Sequence, residues 1–201
     1  LNCHDDKDQE HARHQSASQS AQLLSENTYR LLLEHGCETI EQLRAGKITP
    51  ALEDCVCAAL QVTGVISAMA CGGKQAAVSH TLYSYSCCVH PELAAGFLHG
   101  ELVGSTLVYQ LAVNGAQKEE QEALNRVLRA LGMPTCLEEL GLKETSEEAD
   151  RIFAFLAERM PVETPKELQR LRGESDVLFH GLRDSAGKLQ TKRGEAHETG
   201  I

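Results

Sequence analysis

The sequence predicts an all-α fold. Three observations carry that expectation. Apolar residues recur at helical intervals in nearly every segment, no segment shows the strict alternation of a half-buried strand, and helix start and stop signals punctuate the chain. With 201 residues, 42% apolar and 24% charged, the chain is globular in composition and long enough for one packed core. That core is expected as a helical, bundle-like domain over residues 17–183, between a polar mobile segment at 1–16 and a disordered tail at 184–201.

The first helix reads from "SASQSAQLLSENTYRLLLEHG", with Leu23, Leu24, Tyr29, Leu31 and Leu32 at helical spacing and a stop at Gly36. His35 then sits at a helix C-terminus, where a cation is favoured. A short helical turn follows in "ETIEQLRAGK". Thr49-Pro50 supplies an N-cap and a first-turn proline for a run to Ala70 that is apolar on most faces, as a central buried helix would be. Gly72-Gly73 ends it.

The next helix spans Lys74 to about Ser86 and carries His80 in its middle, and residues 87–98 form a connection broken by Pro91 and Gly96. His99 opens a long helix to about Val113, closed by Asn114-Gly115. "KEEQEALNRVLRAL" is amphipathic, with Leu124, Val127, Leu128 and Leu131 inward. "GMPTCLEELGL" is a turn and a short helix capped by Thr135 with Glu138 in the box position. Ser146 starts "SEEADRIFAFLAERM", and Thr164-Pro165 starts the last helix, "TPKELQRLRGESDVLFHGLR".

The net charge of -10 argues against nucleic acid or an anionic membrane surface as the main partner. No uninterrupted run of about 18 apolar residues is evident, so no membrane span is expected. The N-terminus "LNCHDDKDQEHARHQ" lacks the basic-then-apolar order of a signal peptide and does not begin with methionine. The chain is therefore expected to be a processed product or a piece of something longer, working in the cytoplasm. The eight cysteines fall at irregular spacing within helical patterns, without Cys-x-x-Cys, and are expected as buried reduced thiols.

Two histidines, His80 and His99, flank the same stretch of the chain, and each is a candidate metal ligand or an ordinary histidine near a helix end. Zinc requires three protein ligands when one position is left open for catalysis, so the pair alone does not complete a site. Glu101 either satisfies a backbone amide in the first helical turn or orients a ligand from behind. His4, His11 and His14 with Asp5, Asp6 and Asp8 make a His/Asp-rich start that reads as a solvated tail. Gly72-Gly73 carries no phosphate-loop pattern around it and fits a close approach of two backbones.

Four stretches add a resemblance. "HGELVGSTLVYQL" resembles the His-Gly-Glu-x-Val helix start of the glycerol dehydrogenase branch of the metal-dependent (iron- or zinc-containing) alcohol dehydrogenases, down to the Gln nine residues after the Glu. "TPALEDCVCAAL", "TGVISAMACGGKQAAVSH" and "LRALGMPTCLEELGL" are similar to further signatures of that branch, in family order, over roughly residues 20–175.

The resemblance implies the C-terminal helical, metal-binding domain of an NAD- or NADP-dependent alcohol or polyol dehydrogenase. His80 and His99 match two ligands of its zinc or iron, and the metal polarises the substrate hydroxyl for hydride transfer. The family's aspartate ligand lies in a Gly-x-Gly-Asp-type segment upstream of the matched region, and "LNCHDDKDQ" does not match it. The α/β domain that binds the nicotinamide is outside this chain, so the chain alone is expected to be inactive. Tyr83 stands where the branch commonly has another histidine.

The partners implied are a small alcohol or polyol and a second copy of the chain in a homo-oligomer. The competing reading is a non-enzymatic helical remnant serving as an interaction or oligomerisation module. A third is a metal-storage module built on the His/Asp-rich start.

Overall fold

The computed structural model describes residues 15–69, 77–160 and 164–182, with side chains from residue 19 onward in the first segment. Among the described residues every regular element is helical: α1 (Gln15–Arg44), α2 (Pro50–Cys57), a π-helical turn (Ala58–Val62), α3 (Thr63–Met69), α4 (Val78–Val89), α5 (Pro91–Ala94), α6 (His99–Gly104), α7 (Leu107–Val113), α8 (Lys118–Ala130), α9 (Leu137–Leu140), α10 (Ser146–Arg159), α11 (Pro165–Gly173) and α12 (Ser175–His180). The all-α expectation is met. Of the N-terminal segment anticipated at 1–16, residues 1–14 lie outside the described residues, while Gln15 and Ser16 already belong to α1; the tail anticipated at 184–201 lies wholly outside them.

The core lies among α4, α7, α10 and α12, with Tyr85, Tyr109, Phe153, Leu156, Leu178 and Phe179 almost fully buried. Tyr109 donates its hydroxyl to the Leu171 carbonyl at 3.0 Å, so a buried polar tip is satisfied while its ring fills the core. The α1, α2 and α3 segments pack mainly on one another and reach the rest through α8.

Several helix boundaries differ from the sequence expectation, each for a physical reason. Helix α1 does not stop at Gly36 but runs through it for 30 residues. A Cβ built at Gly36 would stand 3.1 Å from Cγ1 of Val127, so this glycine serves the close approach of α8 rather than a cap. The left-handed stop comes later, at Gly46 with φ 67°. His35 therefore lies inside the helix, not at its end.

The run expected as a central buried helix is not buried. Over Pro50–Met69 only Leu52, Cys55 and Ala58 are buried, while Leu60 is 75% exposed and Val56 and Val65 are about half exposed. By length and composition alone, and contrary to the sequence reading, this 20-residue stretch is long and apolar enough to cross a membrane. It carries Glu53 and Asp54 in its first turns, and Cys55 packs against α1, where its thiol accepts from the Thr39 hydroxyl at 3.4 Å.

Helix α4 begins at Val78, so His80 sits in its first turn rather than mid-helix, and the helix extends past Cys87 and Cys88 to Val89. Gly72-Gly73 and Lys74 lie outside the described residues. The anticipated connection contains the short helix α5. The long helix expected from His99 is split at Ser105-Thr106: the Ser105 hydroxyl donates to the Leu102 carbonyl at 2.8 Å, and the Thr106 hydroxyl donates to that of Val103 at 3.3 Å. Such side chains compete with the backbone ladder, and the helix breaks there.

Leu131 is half exposed rather than inward. Helix α9 is capped at Cys136, and Glu139, not Glu138, reaches back to the Thr135 amide at 2.8 Å. The N-cap of α10 is Thr145, one residue before Ser146, and accepts from the Glu148 amide at 3.1 Å. Thr164 and Glu167 form the reciprocal capping box of α11, as the Thr164-Pro165 signal predicts, but Gly173 and Glu174 separate α11 from α12.

The described cysteines are all free thiols. Cys55 and Cys136 are buried, Cys37 and Cys87 half-buried, and Cys57 and Cys88 exposed. Burial pushes the Cys136 thiol up to about 11. Cys3 and Cys71 lie outside the described residues.

Candidate functional site

The first turn of α4 presents His80 because its neighbours point inward: Val78, Ser79 and Leu82 are buried, and His80 is exposed. That turn lacks a side-chain cap from Ala77. Its Ser79 amide is instead satisfied by the Gln110 side-chain carbonyl on α7, at 3.1 Å. Gln110 is the glutamine of the "HGELVGSTLVYQL" stretch, and its structural role as an anchor for the neighbouring helix was not read from the sequence. Its place in that motif was the available signal.

His99 is the first residue of α6. Glu101 accepts a hydrogen bond from the Leu98 amide at 2.8 Å and so fixes the start of that helix. Buried Leu102 and Gly104 hold α6 against the core, leaving His99 exposed at the open end. A Cβ at Gly104 would fall 2.5 Å from Cε of Met133, so the flexible end of that side chain would have to move aside.

These two helix starts bring the imidazoles together. The ring centroids of His80 and His99 stand 5.8 Å apart with planes inclined at 52°. Tyr83, one turn along α4 from His80, sets its ring edge-on to His99 at 4.4 Å. Partial desolvation of the ring, and then the charge of His99, hold the His80 imidazole below the usual histidine range. The neutral imidazole that results is the form in which histidine ligates metals. The neighbouring Cys87 raises the Tyr83 phenol, which stays protonated at neutral pH.

As a donor set, two adjacent imidazoles fit a borderline divalent ion such as zinc or iron. They supply two of the ligands such an ion takes. Among the described residues no group of three or more His, Cys, Asp or Glu side chains converges as a complete metal site.

Beside His99 lies an open cleft of about 240 Å³, lined by Tyr83, Cys87, Ala94, Phe97 and Leu102 among others. Its far wall is held by a buried carboxylate. Glu148 accepts from the Tyr85 hydroxyl at 2.7 Å and pairs with His90 Nε2 at 2.7 Å, tying the residue before α5 to α10. The sequence reading placed His90 simply in a loop.

The chain is similar to two curated glycerol dehydrogenases. That of Pseudomonas putida is 32% identical over 146 residues, and that of Escherichia coli is 32% identical over 140 residues. Each match covers 70% of this chain. The chain spans 37% and 36% of the length of those relatives. No family model matches the chain. The matched region is thus dehydrogenase-like, and its helical fold fits that relationship.

Proposed function

We propose that this chain is the metal-binding helical domain of an NAD(P)-dependent alcohol or polyol dehydrogenase of glycerol dehydrogenase type, acting in the cytoplasm on a small alcohol or polyol. The observation that carries the reading is the convergence of His80 and His99 at the open ends of two helices, in a chain similar to glycerol dehydrogenases. In this reading both imidazoles would hold a zinc or iron ion, which requires at least one further protein ligand. When bound, the ion supplies Lewis acidity that lowers the pKa of a substrate hydroxyl.

The remaining work belongs to side chains of this chain. Glu101 fixes the start of α6, and so the position of His99, through the Leu98 amide. Gln110 fixes the start of α4, and so the position of His80, through the Ser79 amide. Tyr83 packs edge-on against His99 and restricts its ring. Nicotinamide binding and hydride transfer are assigned to a domain outside this chain.

Titration of the purified chain with Co²⁺ or Zn²⁺ tests the metal assignment. One equivalent should bind wild type, and His80→Ala and His99→Ala should each abolish that binding while leaving the helical circular dichroism unchanged. Equal affinity in all three proteins would sink the assignment.

The exposed apolar face of α2 and α3, with Leu60 three-quarters exposed, favours a second reading. It suits the docking of a further domain, but it also suits a non-enzymatic interaction or oligomerisation module. An immunoblot of source-cell extract with an antibody against this chain separates the two. A band larger by roughly one domain, about 150 residues, favours the enzyme, and a band at the size of this chain favours the module.

A further inference from the structure

The cleft beside His99 has walls of one chemical kind. Cys87, Pro91, Ala94, Ala95, Phe97 and Leu102 offer it carbon and sulfur. Side-chain hydrogen-bonding capacity is confined to the His99 imidazole and to Tyr83 and Cys87, whose hydroxyl and thiol bond each other. At about 240 Å³ it is smaller than the roughly 300–1,000 Å³ of sites for drug-sized ligands, so its size suits a short aliphatic chain or a single ring.

A polyol laid in this cleft would place its further hydroxyls against walls made mostly of carbon, a costly burial. A monohydric alcohol would place only methylenes there.

We infer that this cleft receives the hydrocarbon substituent of a monohydric alcohol whose hydroxyl lies at the His80–His99 end, so that the site discriminates against glycerol-like polyols. The inference rests on the metal-centre reading above for the position of the hydroxyl, and on the cleft's lining for the substituent. The clamp of Tyr85 and His90 on Glu148 keeps the cleft in place, because it fixes the start of α5, from which Pro91, Ala94 and the adjoining Ala95 line the wall.

The test uses the ¹⁵N-labelled chain and no turnover. Ethanol, 1-butanol, 1-hexanol and glycerol are titrated in turn while the amides of Ala94, Phe97 and Leu102 are followed by NMR. From 1-butanol to 1-hexanol, affinity read at these amides should rise about fourfold per added methylene, and glycerol should leave them unmoved. Ala95→Trp, a substitution at an exposed helix-end position lining the cleft, should abolish the chain-length dependence. Phe97→Ala enlarges the cleft, and should extend the rise to longer alcohols even if the tryptophan variant fails to fold.

Shifts from glycerol as large as those from 1-hexanol, or an affinity flat with chain length, would overturn the inference. A parallel Zn²⁺ titration followed at the His80 and His99 rings separates the two readings. Zinc binding without chain-length dependence overturns the cleft assignment alone. Chain-length dependence without zinc binding upholds the cleft and overturns the metal centre.

Discussion

Gln110 accepts a hydrogen bond from the Ser79 amide at 3.1 Å and thereby joins α7 to the turn that carries His80. The helix after His99 thus anchors the helix bearing the other histidine. If the two rings act together on one ion, loss of this anchor will loosen the pair without removing either ligand. Gln110→Ala is expected to weaken Zn²⁺ binding by about 10–100-fold, the range for partners that orient a ligand from behind. Gln110→Glu, which keeps an acceptor oxygen, should restore most of the affinity. Isothermal calorimetry checks both, and a merely structural role would lower the melting temperature without this selective rescue.

The carboxylate of Glu148 is a stability determinant. Glu148→Ala leaves the Tyr85 hydroxyl buried without its acceptor and breaks the tie to His90. Urea unfolding should show a loss of about 1–3 kcal/mol, with Tyr85→Phe costing less because it removes one donor and leaves the His90 pair intact.

Gly36 and Val127 should be energetically coupled. Alanine at Gly36 gains up to about 1 kcal/mol of helix propensity, but its Cβ presses on Cγ1 of Val127 at 3.1 Å. In a Val127→Ala background the pressure is gone. Gly36→Ala should therefore be more favourable there by at least about 0.5 kcal/mol, measured by a double-mutant cycle of denaturant midpoints.

His180 gives the stability a pH dependence. Its ring nitrogens face Glu138 at 3.1 Å and Glu144 at 2.7 Å, and the hydrogen bond to Glu138, followed by that to Glu144, raises it above the ordinary histidine value of 6.5 against some desolvation. A histidine raised on folding binds its proton more tightly in the native state. Its stabilising contribution is complete below about 6.5 and is lost as pH rises through its higher folded value. The melting temperature of wild type should fall relative to His180→Gln over that interval, and the difference should stop changing with pH above it.

Local signals made much of this architecture legible. The helical period of the apolar residues gave the fold class, and Thr164 with Pro165 gave a helix start to the residue. The candidate pair, His80 and His99, was visible as two histidines, and only folding placed them side by side.

What stayed hidden depended on tertiary neighbours. Gly36 looks like a stop until Val127 is seen packed on it. The apolar run from Pro50 looks like a core helix until its surroundings are known, because composition records how a face would partition but not what covers it. Ser105 and Thr106 break a helix by turning their hydroxyls onto their own backbone, a choice the apolar period does not register.

The π-helical turn at Ala58–Val62 holds one residue more than an α-helical turn would, the Thr63 amide reaching back five residues to the Ala58 carbonyl. That surplus makes the stretch a natural place for length variation. Deleting Gln61 lets the turn close as ordinary α-helix and leaves Thr63–Met69 in the same register against α1, whereas the same deletion within α2 would rotate every later residue by about 100°. Homologous chains differing by one residue here would then share the same downstream packing, and an alignment gap at this point would mark a conserved backbone path rather than a divergent one.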